Sequence, residues 1–145
     1  MKIKIVDYSK RMKREVRELF LKIYPGDLKI AKLMAFDEGR KDHVATKIAV
    51  VNGKFAGQAN MFRFRNKRAV SNLGYHVLPR FRQKGIGSSL CSAVMKAAQT
   101  KGIKKVLIRT YPTNTASISL AKSLGFKQVK DEFKKRNIIA FKKEI

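Results

Sequence analysis

The sequence predicts a mixed α/β layer fold, in which one sheet packs against helices. Three observations predict it. Segments of alternating polarity flank Asn52-Gly53, the strongest short hairpin signal. Other segments place apolar residues at helical spacing. A strand, a glycine turn, a helix and a further strand then follow one another from Gly74 to Tyr111.

The elements follow in order. Residues 2–7 alternate as a strand. Ser9 is a candidate cap for a helix reaching Tyr24, with Met12, Val16, Leu19, Phe20 and Ile23 on one face. Pro25-Gly26 ends it, and Asp27 can cap a second helix carrying Leu28, Ile30, Ala31, Leu33 and Met34. After a polar loop to Asp42, His43–Val51 and Lys54–Arg65 form a hairpin around Asn52-Gly53, where a type I′ turn needs positive φ twice. Asn66-Lys67 is a second turn into a strand from Arg68 to Leu78, ended by Pro79, which has no N–H to donate. A helix spans Gly85–Thr100, with Leu90, Cys91, Val94, Met95, Ala97 and Ala98 as its buried stripe. Gly102 stops it. A strand follows at Ile103–Tyr111, then a short helix at Asn114–Leu124 closed by Gly125. Strands at Phe126–Phe133 and Ile138–Glu144 complete the chain. The expectation is one domain over residues 1–145, without linker, repeat or low-complexity tract.

Composition narrows the function. At 44% hydrophobic and 30% charged residues, the chain suits a globular protein rather than a disordered one. No apolar run approaches the ~18 residues of a membrane span, and the alternating N-terminus has no signal-peptide core. A cytoplasmic protein is expected. One cysteine, Cys91, and two histidines, His43 and His76, leave no disulfide framework and no cysteine-based metal site. The charge is unusual: 34 Lys and Arg against 10 Asp and Glu give a net +24. Seven acids lie in residues 1–42 and three in 131–145, so nothing offsets the cations from His43 to Lys130. Such a field attracts phosphates, nucleic acid or acidic proteins. A solvated lysine-rich surface explains it equally well.

The glycine turn carries the chemistry. Unpaired N–H groups at a helix start, with the helix dipole, bind phosphate oxygens. Gly85 and Gly87 admit a close backbone approach, Arg82 and Lys84 add charge, and Ser88 and Ser89 add hydroxyls. The spacing fits neither the dinucleotide fingerprint nor the Walker A loop. An ordinary glycine-rich turn is the plain alternative.

Two longer patterns make the case specific. Val77-x-Pro79-x-x-Arg82-x-x-Gly85-x-Gly87 resembles motif A of the GNAT superfamily, the Gcn5-related N-acetyltransferases. Asn114-x-x-Ser117-x-x-Leu120-Ala121-x-x-x-Gly125-Phe126 resembles its motif B, at the usual separation and on matching elements. The resemblance implies a mixed, mostly antiparallel sheet of about seven strands with four helices, splayed between strands 4 and 5. It also implies N-acetyl transfer from acetyl-CoA to a primary amine by direct attack in a ternary complex. The pyrophosphate would rest on Arg82, Gln83, Lys84, Gly85, Ile86, Gly87 and Ser88. The backbone at Val77 and Leu78 would pair with the pantetheine arm and offer an N–H to the thioester carbonyl. Asn114 and Ser117 would anchor the cofactor or order the following helix.

The proton-handling positions of such enzymes are empty here. The motif B tyrosine is replaced by Ala121, and the positions of strand carboxylates or histidines are Ser71, Leu73 and Arg109. The remaining candidates are Tyr75, His76 and Tyr111. Strand alternation puts His76 on the face opposite Tyr75. Tyr111 precedes Pro112 at a strand end, and Cys91 sits on the apolar helix stripe with nothing to activate it. The acceptor, a small molecule or a protein N-terminus or lysine, would approach beside the first two helices. Asp27, Asp37, Glu38 and Asp42 lie there, as caps and loop residues or as a patch for a cationic amine. Phe62-Arg63-Phe64-Arg65-Asn66-Lys67-Arg68 supports an alternative class, a basic nucleic-acid- or ribosome-binding module with weak or no catalysis, if its aromatics are exposed. RNA or an acidic partner, and a monomer or homodimer, fit the charge.

Overall fold

The computed structural model describes residues 2–26, 41–64, 67–133 and 137–145, with residues 67–69 described by their main chain. The expected helix after Asp27 and the turn at Asn66 lie outside the described residues. Seven strands form one sheet: β1 (Ile3–Asp7), β2 (His43–Val51), β3 (Lys54–Phe64), β4 (Lys67–Val77), β5 (Lys105–Thr110), β6 (Lys127–Val129) and β7 (Ile139–Glu144). Their spatial order is β1-β2-β3-β4-β5-β7-β6, and β4 with β5 is the one parallel neighbour pair. Three α-helices are described: α1 (Lys13–Ile23), α2 (Ile86–Thr100) and α3 (Thr115–Ser123).

The β2–β3 hairpin turns as its residues require, with φ of 49° at Asn52 and 78° at Gly53. Neighbouring residues of β2 point to opposite faces. Ile48 packs with Val16 and Phe20 of α1, whereas Ala49 belongs to the larger core under α2. Hence α1 covers one face and α2 the other. Ile86, Leu90, Cys91, Val94, Met95 and Ala98 of α2 are buried against Met61, Leu73, Val106, Ile108 and Phe141. Burying a side chain such as Leu90 contributes about 1.5–3 kcal/mol.

Two expectations are corrected. Ser9 adopts extended backbone, and its side chain makes no capping bond. The chain enters α1 through a tight turn, Lys10–Met12, whose i→i+3 bonding (Met12 N–H to Ser9 O, 2.9 Å) replaces the cap. The strand expected over Phe126–Phe133 shrinks to Lys127–Val129. Beyond it, Asp131 is held by Arg109 instead of continuing the ladder.

The feature that matters most is the way β4 and β5 part. They pair at Val70↔Lys105, Ser71↔Val106 and Asn72↔Leu107, and no further. β4 nevertheless continues to Val77 and β5 to Thr110. The gap therefore opens at Leu73 and widens towards the glycine turn.

Candidate active site

The turn from β4 into α2 is built by backbone that side chains rarely adopt. Gln83 has φ of 60° and Gly85 of 77°, and Gly85 is the residue before the first turn of α2. Among the described residues, no atom beyond Gly85 and its two chain neighbours lies within 4 Å of where a Gly85 Cβ would stand, so the space above it is open. Gly87 has no positive φ. A Cβ there would meet Leu120 Cδ2 at 3.4 Å and the Tyr75 ring at 3.8 Å, so Gly87 lets α2, α3 and β4 approach. Arg80 and Lys84 are exposed. Arg82 instead folds back, its Nε donating to the Val77 carbonyl at 3.0 Å. Its charge also reaches Tyr24 of α1: burial raises that phenol's pKa, and Arg82 pulls it the other way.

Main-chain directions along β4 decide which amides face the gap. The Leu78 N–H donates to Ala56 O at 2.9 Å, and the Leu78 carbonyl accepts from Phe81 N–H at 2.9 Å. Both groups are engaged, and the N–H points towards β3. Strand groups alternate in direction, so the amides of Val77 and Tyr75 point into the gap. The amides of this stretch that face the gap are therefore those of Val77 and Tyr75, and the Leu78 side chain is buried.

The side chain of Tyr75 crosses from β4 to α3, where its hydroxyl donates to Ser117 Oγ at 2.8 Å. Burial raises its pKa above the ordinary phenol value. Ser117 and Ala121, one turn apart on α3, are both buried. Asn114 caps α3, its Oδ1 accepting from Ser117 N–H at 3.1 Å. Motif B thus braces Tyr75 from the far side of the gap.

His76 points to the opposite face, as alternation requires. Its ring lies edge-on to Phe20 and Tyr24, 5.1 and 5.7 Å between centroids, and its Nδ1 is 3.3 Å from Gln58 Nε2. Burial pushes its pKa down to about 4, so the ring is neutral at physiological pH. Tyr111 stands at the end of β5 with 58% of its surface exposed. Cys91 is buried in the core, and burial pushes its thiol up to about 12, far from a nucleophile's range.

Sequence reasoning missed two groups. Arg109 makes two bonds to Asp131, 3.0 and 3.1 Å, and stacks over Phe133, which stacks in turn on Phe64. Nothing in the spacing announces a pair 22 residues apart. The second group is a row of amides on the α1 face: Gln58 and Asn60 of β3 are buried, and Asn72 Oδ1 is buried with no hydrogen-bond partner. The basic segment offers no aromatic platform among its described side chains. Phe62 packs on His43, Phe64 on Phe133, and Arg63 donates to Lys101 O. A concavity of about 370 Å³ beside β2, lined by Asp7, Thr46, Lys47, Ala97 and Lys101, lies at the other end of α2 from the glycine turn.

Comparison with known proteins fits this geometry. Residues 12–126 match the model of the acetyltransferase (GNAT) family. The chain is 31% identical over 120 residues to aminoglycoside N(6')-acetyltransferase type 1 of Salmonella typhimurium, covering 77% of this chain and 83% of that one. The same figures hold for the Salmonella enteritidis protein. The fold of this chain superposes on the ribosomal-protein-alanine N-acetyltransferase from Brucella melitensis with a TM-score of 0.80 at 19% identity, over 98% of this chain and 99% of that one. It also superposes on yncA from Salmonella typhimurium, solved with its cofactor acetyl-CoA (TM-score 0.78, 20% identity, 98% and 93% covered).

Proposed function

The chain belongs to the GNAT acetyltransferase family, and we propose that it carries acetyl groups from acetyl-CoA to a primary amine held on the α1 side of the β4–β5 gap. The observation that carries this reading is the gap itself, which opens beneath a left-handed glycine turn at a helix start. In this reading the pyrophosphate rests on the amides from Arg82 to Ser88, where helix-start donors remain unpaired. The pantetheine arm descends along β4 and pairs with the Val77 amide. The thioester then lies deeper, and the Tyr75 N–H donates to its carbonyl oxygen. As the amine attacks, negative charge grows on that oxygen, and a fixed backbone donor there stabilises it.

The protons need separate accounting. The amine must lose one and the leaving thiolate must gain one. His76, with a pKa of about 4, is too weak a base at neutral pH. The Tyr75 hydroxyl is the best-held donor of the three candidates, since burial keeps it protonated and Ser117 fixes it. We assign it to the thiolate, and assign water to the amine's proton. Tyr111, exposed at the strand end, serves as a wall of the opening.

The relative at 31% identity acts on aminoglycosides by name. A small hydroxylated amine is accordingly the first acceptor class to try, ahead of protein N-termini and lysines. The cytoplasm, where acetyl-CoA is at hand, is the proposed compartment. The test is Tyr75→Phe. It keeps the ring packing on Gly87 while removing the hydroxyl. Turnover should slow by about a hundredfold or more with acetyl-CoA binding unchanged, in the usual range for loss of an acid–base group. Unaltered turnover would remove Tyr75 from the proton path.

A further inference from the structure

We infer that Arg109, Asp131, Phe133 and Phe64 form a clamp across the fork of the sheet, and that this clamp sets the width of the β4–β5 gap. They are positioning residues, and none is assigned a contact with acetyl-CoA or the amine. Their effect on turnover rests on the acetyltransferase reading, whereas the clamp itself is tested without it.

The sheet has two halves. β1–β4 form one and β5–β7 the other, and three residue pairs, from Val70↔Lys105 to Asn72↔Leu107, join them through the main chain. So short a ladder is a hinge. On one face α2 resists pivoting about it, because its core takes Met61 and Leu73 from the first half and Val106 and Ile108 from the second. The opposite face has a bridge of its own. Ile108 points into that core, so Arg109, the next residue, points away from α2. The Arg109 guanidinium makes two bonds to Asp131, 3.0 and 3.1 Å, and its Cζ lies 4.8 Å from the centre of the Phe133 ring. Phe133 stacks on Phe64 with 4.6 Å between centroids and 26° between planes. Phe64 ends β3 and pairs with Lys67, on the far side of the three β4–β5 pairs from the gap. Arg109 lies on the gap side, two residues beyond Leu107. The bridge therefore crosses the fork from β5 to β3.

Its parts make a stiff tie. A guanidinium and a carboxylate joined by two parallel bonds keep one relative orientation. The side chains of the pair are 21% and 7% exposed, so salt screens it less than a surface pair. A planar guanidinium over a ring, and that ring on another, hold their spacing. The same pair draws the chain away from β6, which ends at Val129. Position 109, which carries no proton-handling group in this chain, thus serves to join the two halves.

Gap width matters because the halves carry different parts of the chemistry. Val77 and Tyr75 belong to β4, whereas Ser117 belongs to α3, which follows β5. The Tyr75–Ser117 bond, 2.8 Å long, spans the two. A wider splay stretches it and draws the proton donor away from the thiolate. The glycine turn runs directly from β4 into α2 and keeps its shape. Loosening the clamp therefore slows turnover more than it weakens cofactor binding.

The test uses the full chain with spin labels at Arg80→Cys, beyond β4, and Tyr111→Cys, at the end of β5; the native Cys91 is buried away from the reagent. Phe133→Ala and Asp131→Asn should each lengthen or broaden the distance between the labels, and Phe133→Tyr, which keeps the ring, should not. In unlabelled chains, Phe133→Ala should lower kcat about tenfold and leave the acetyl-CoA Kd within about twofold, as expected for misplaced reacting groups. Phe133→Tyr should keep kcat near that of the wild type. An unchanged label distance in both Phe133→Ala and Asp131→Asn overturns the clamp, even if Tm or kcat falls, because the loss then lies in folding or in a direct contact. A changed distance with unchanged kcat overturns its role in turnover. If the wild-type chain binds no acetyl-CoA, the acetyltransferase reading falls and the effect on turnover with it, while the label distances still decide the clamp.

Discussion

Arg82 changes role between sequence and structure. As a cation in a glycine turn it reads as a phosphate ligand, yet its Nε is committed to the Val77 carbonyl. It ties the turn to the strand residue whose amide faces the gap, and in the proposed function it thereby positions β4 against the cofactor. Arg82→Gln should lower kcat by about tenfold, the scale of a misplaced backbone donor, with a smaller change in acetyl-CoA KM. A change confined to KM would return Arg82 to phosphate binding. His76 makes a second prediction. Its pKa of about 4 in the folded chain lies below the ordinary 6.5. The unfolded chain then binds more protons between those values, so this contribution is full above pH 6.5 and is lost as pH falls through about 4. Urea unfolding should become easier from about pH 6.5 to about pH 5, where His76 contributes up to about 2 kcal/mol. In His76→Asn that slope should flatten; an equal slope in both proteins would mean that His76 titrates normally. The Arg82 bond was not legible in the sequence, because it depends on a partner that only the folded chain brings close, whereas strand alternation did put His76 on the face opposite Tyr75.

At the scale of elements, close approach explains both what was legible and what was not. Gly57 on β3 lies opposite Val77 across the ladder, and a Cβ there would lie 2.6 Å from the His76 carbonyl oxygen. That neighbour is backbone and cannot turn aside. Gly57→Ala should therefore cost about 1–3 kcal/mol, visible as a lower Tm, with a weaker site because β4 is displaced. An unchanged Tm would mean that the two strands are further apart than described. The strands, the Asn52-Gly53 turn and helices α2 and α3 were readable because local patterns fix them: polarity alternates, apolar residues recur every three or four positions, and glycine or proline ends each run. The length of β6 was not readable, since Asp131 leaves the ladder for a partner on β5. The Ser9 cap failed for a related reason. A cap is judged from its neighbours in sequence, whereas the extended Ser9 backbone leads into a tight turn. In the site, the glycine turn and Asn114 were legible as motifs. The bond from the Leu78 amide to Ala56 was not legible, because the direction of an amide follows from strand pairing.

At the scale of the molecule, the two faces of the sheet divide the work. α2 and α3 brace one face and present the turn and Tyr75, while on the face of α1 the described strand residues include the polar side chains of Gln58, Asn60 and Asn72. The chain carries a net charge of +24, which should speed the arrival of a polyanionic cofactor. The association rate of acetyl-CoA is accordingly expected to fall steeply between low and physiological salt, with a smaller change in its dissociation rate. A salt-independent association rate would remove steering from the account. Thiol release from acetyl-CoA in the presence of a primary amine tests the turn and the gap together. For the wild type the expected result is saturable, amine-dependent release. In Gly85→Val a β-branched residue is forced into a backbone with φ of 77° and fills the open space above the turn, so acetyl-CoA should bind at least about tenfold more weakly. Release that ignores the amine, or binding that is equal in the two proteins, would contradict the claim.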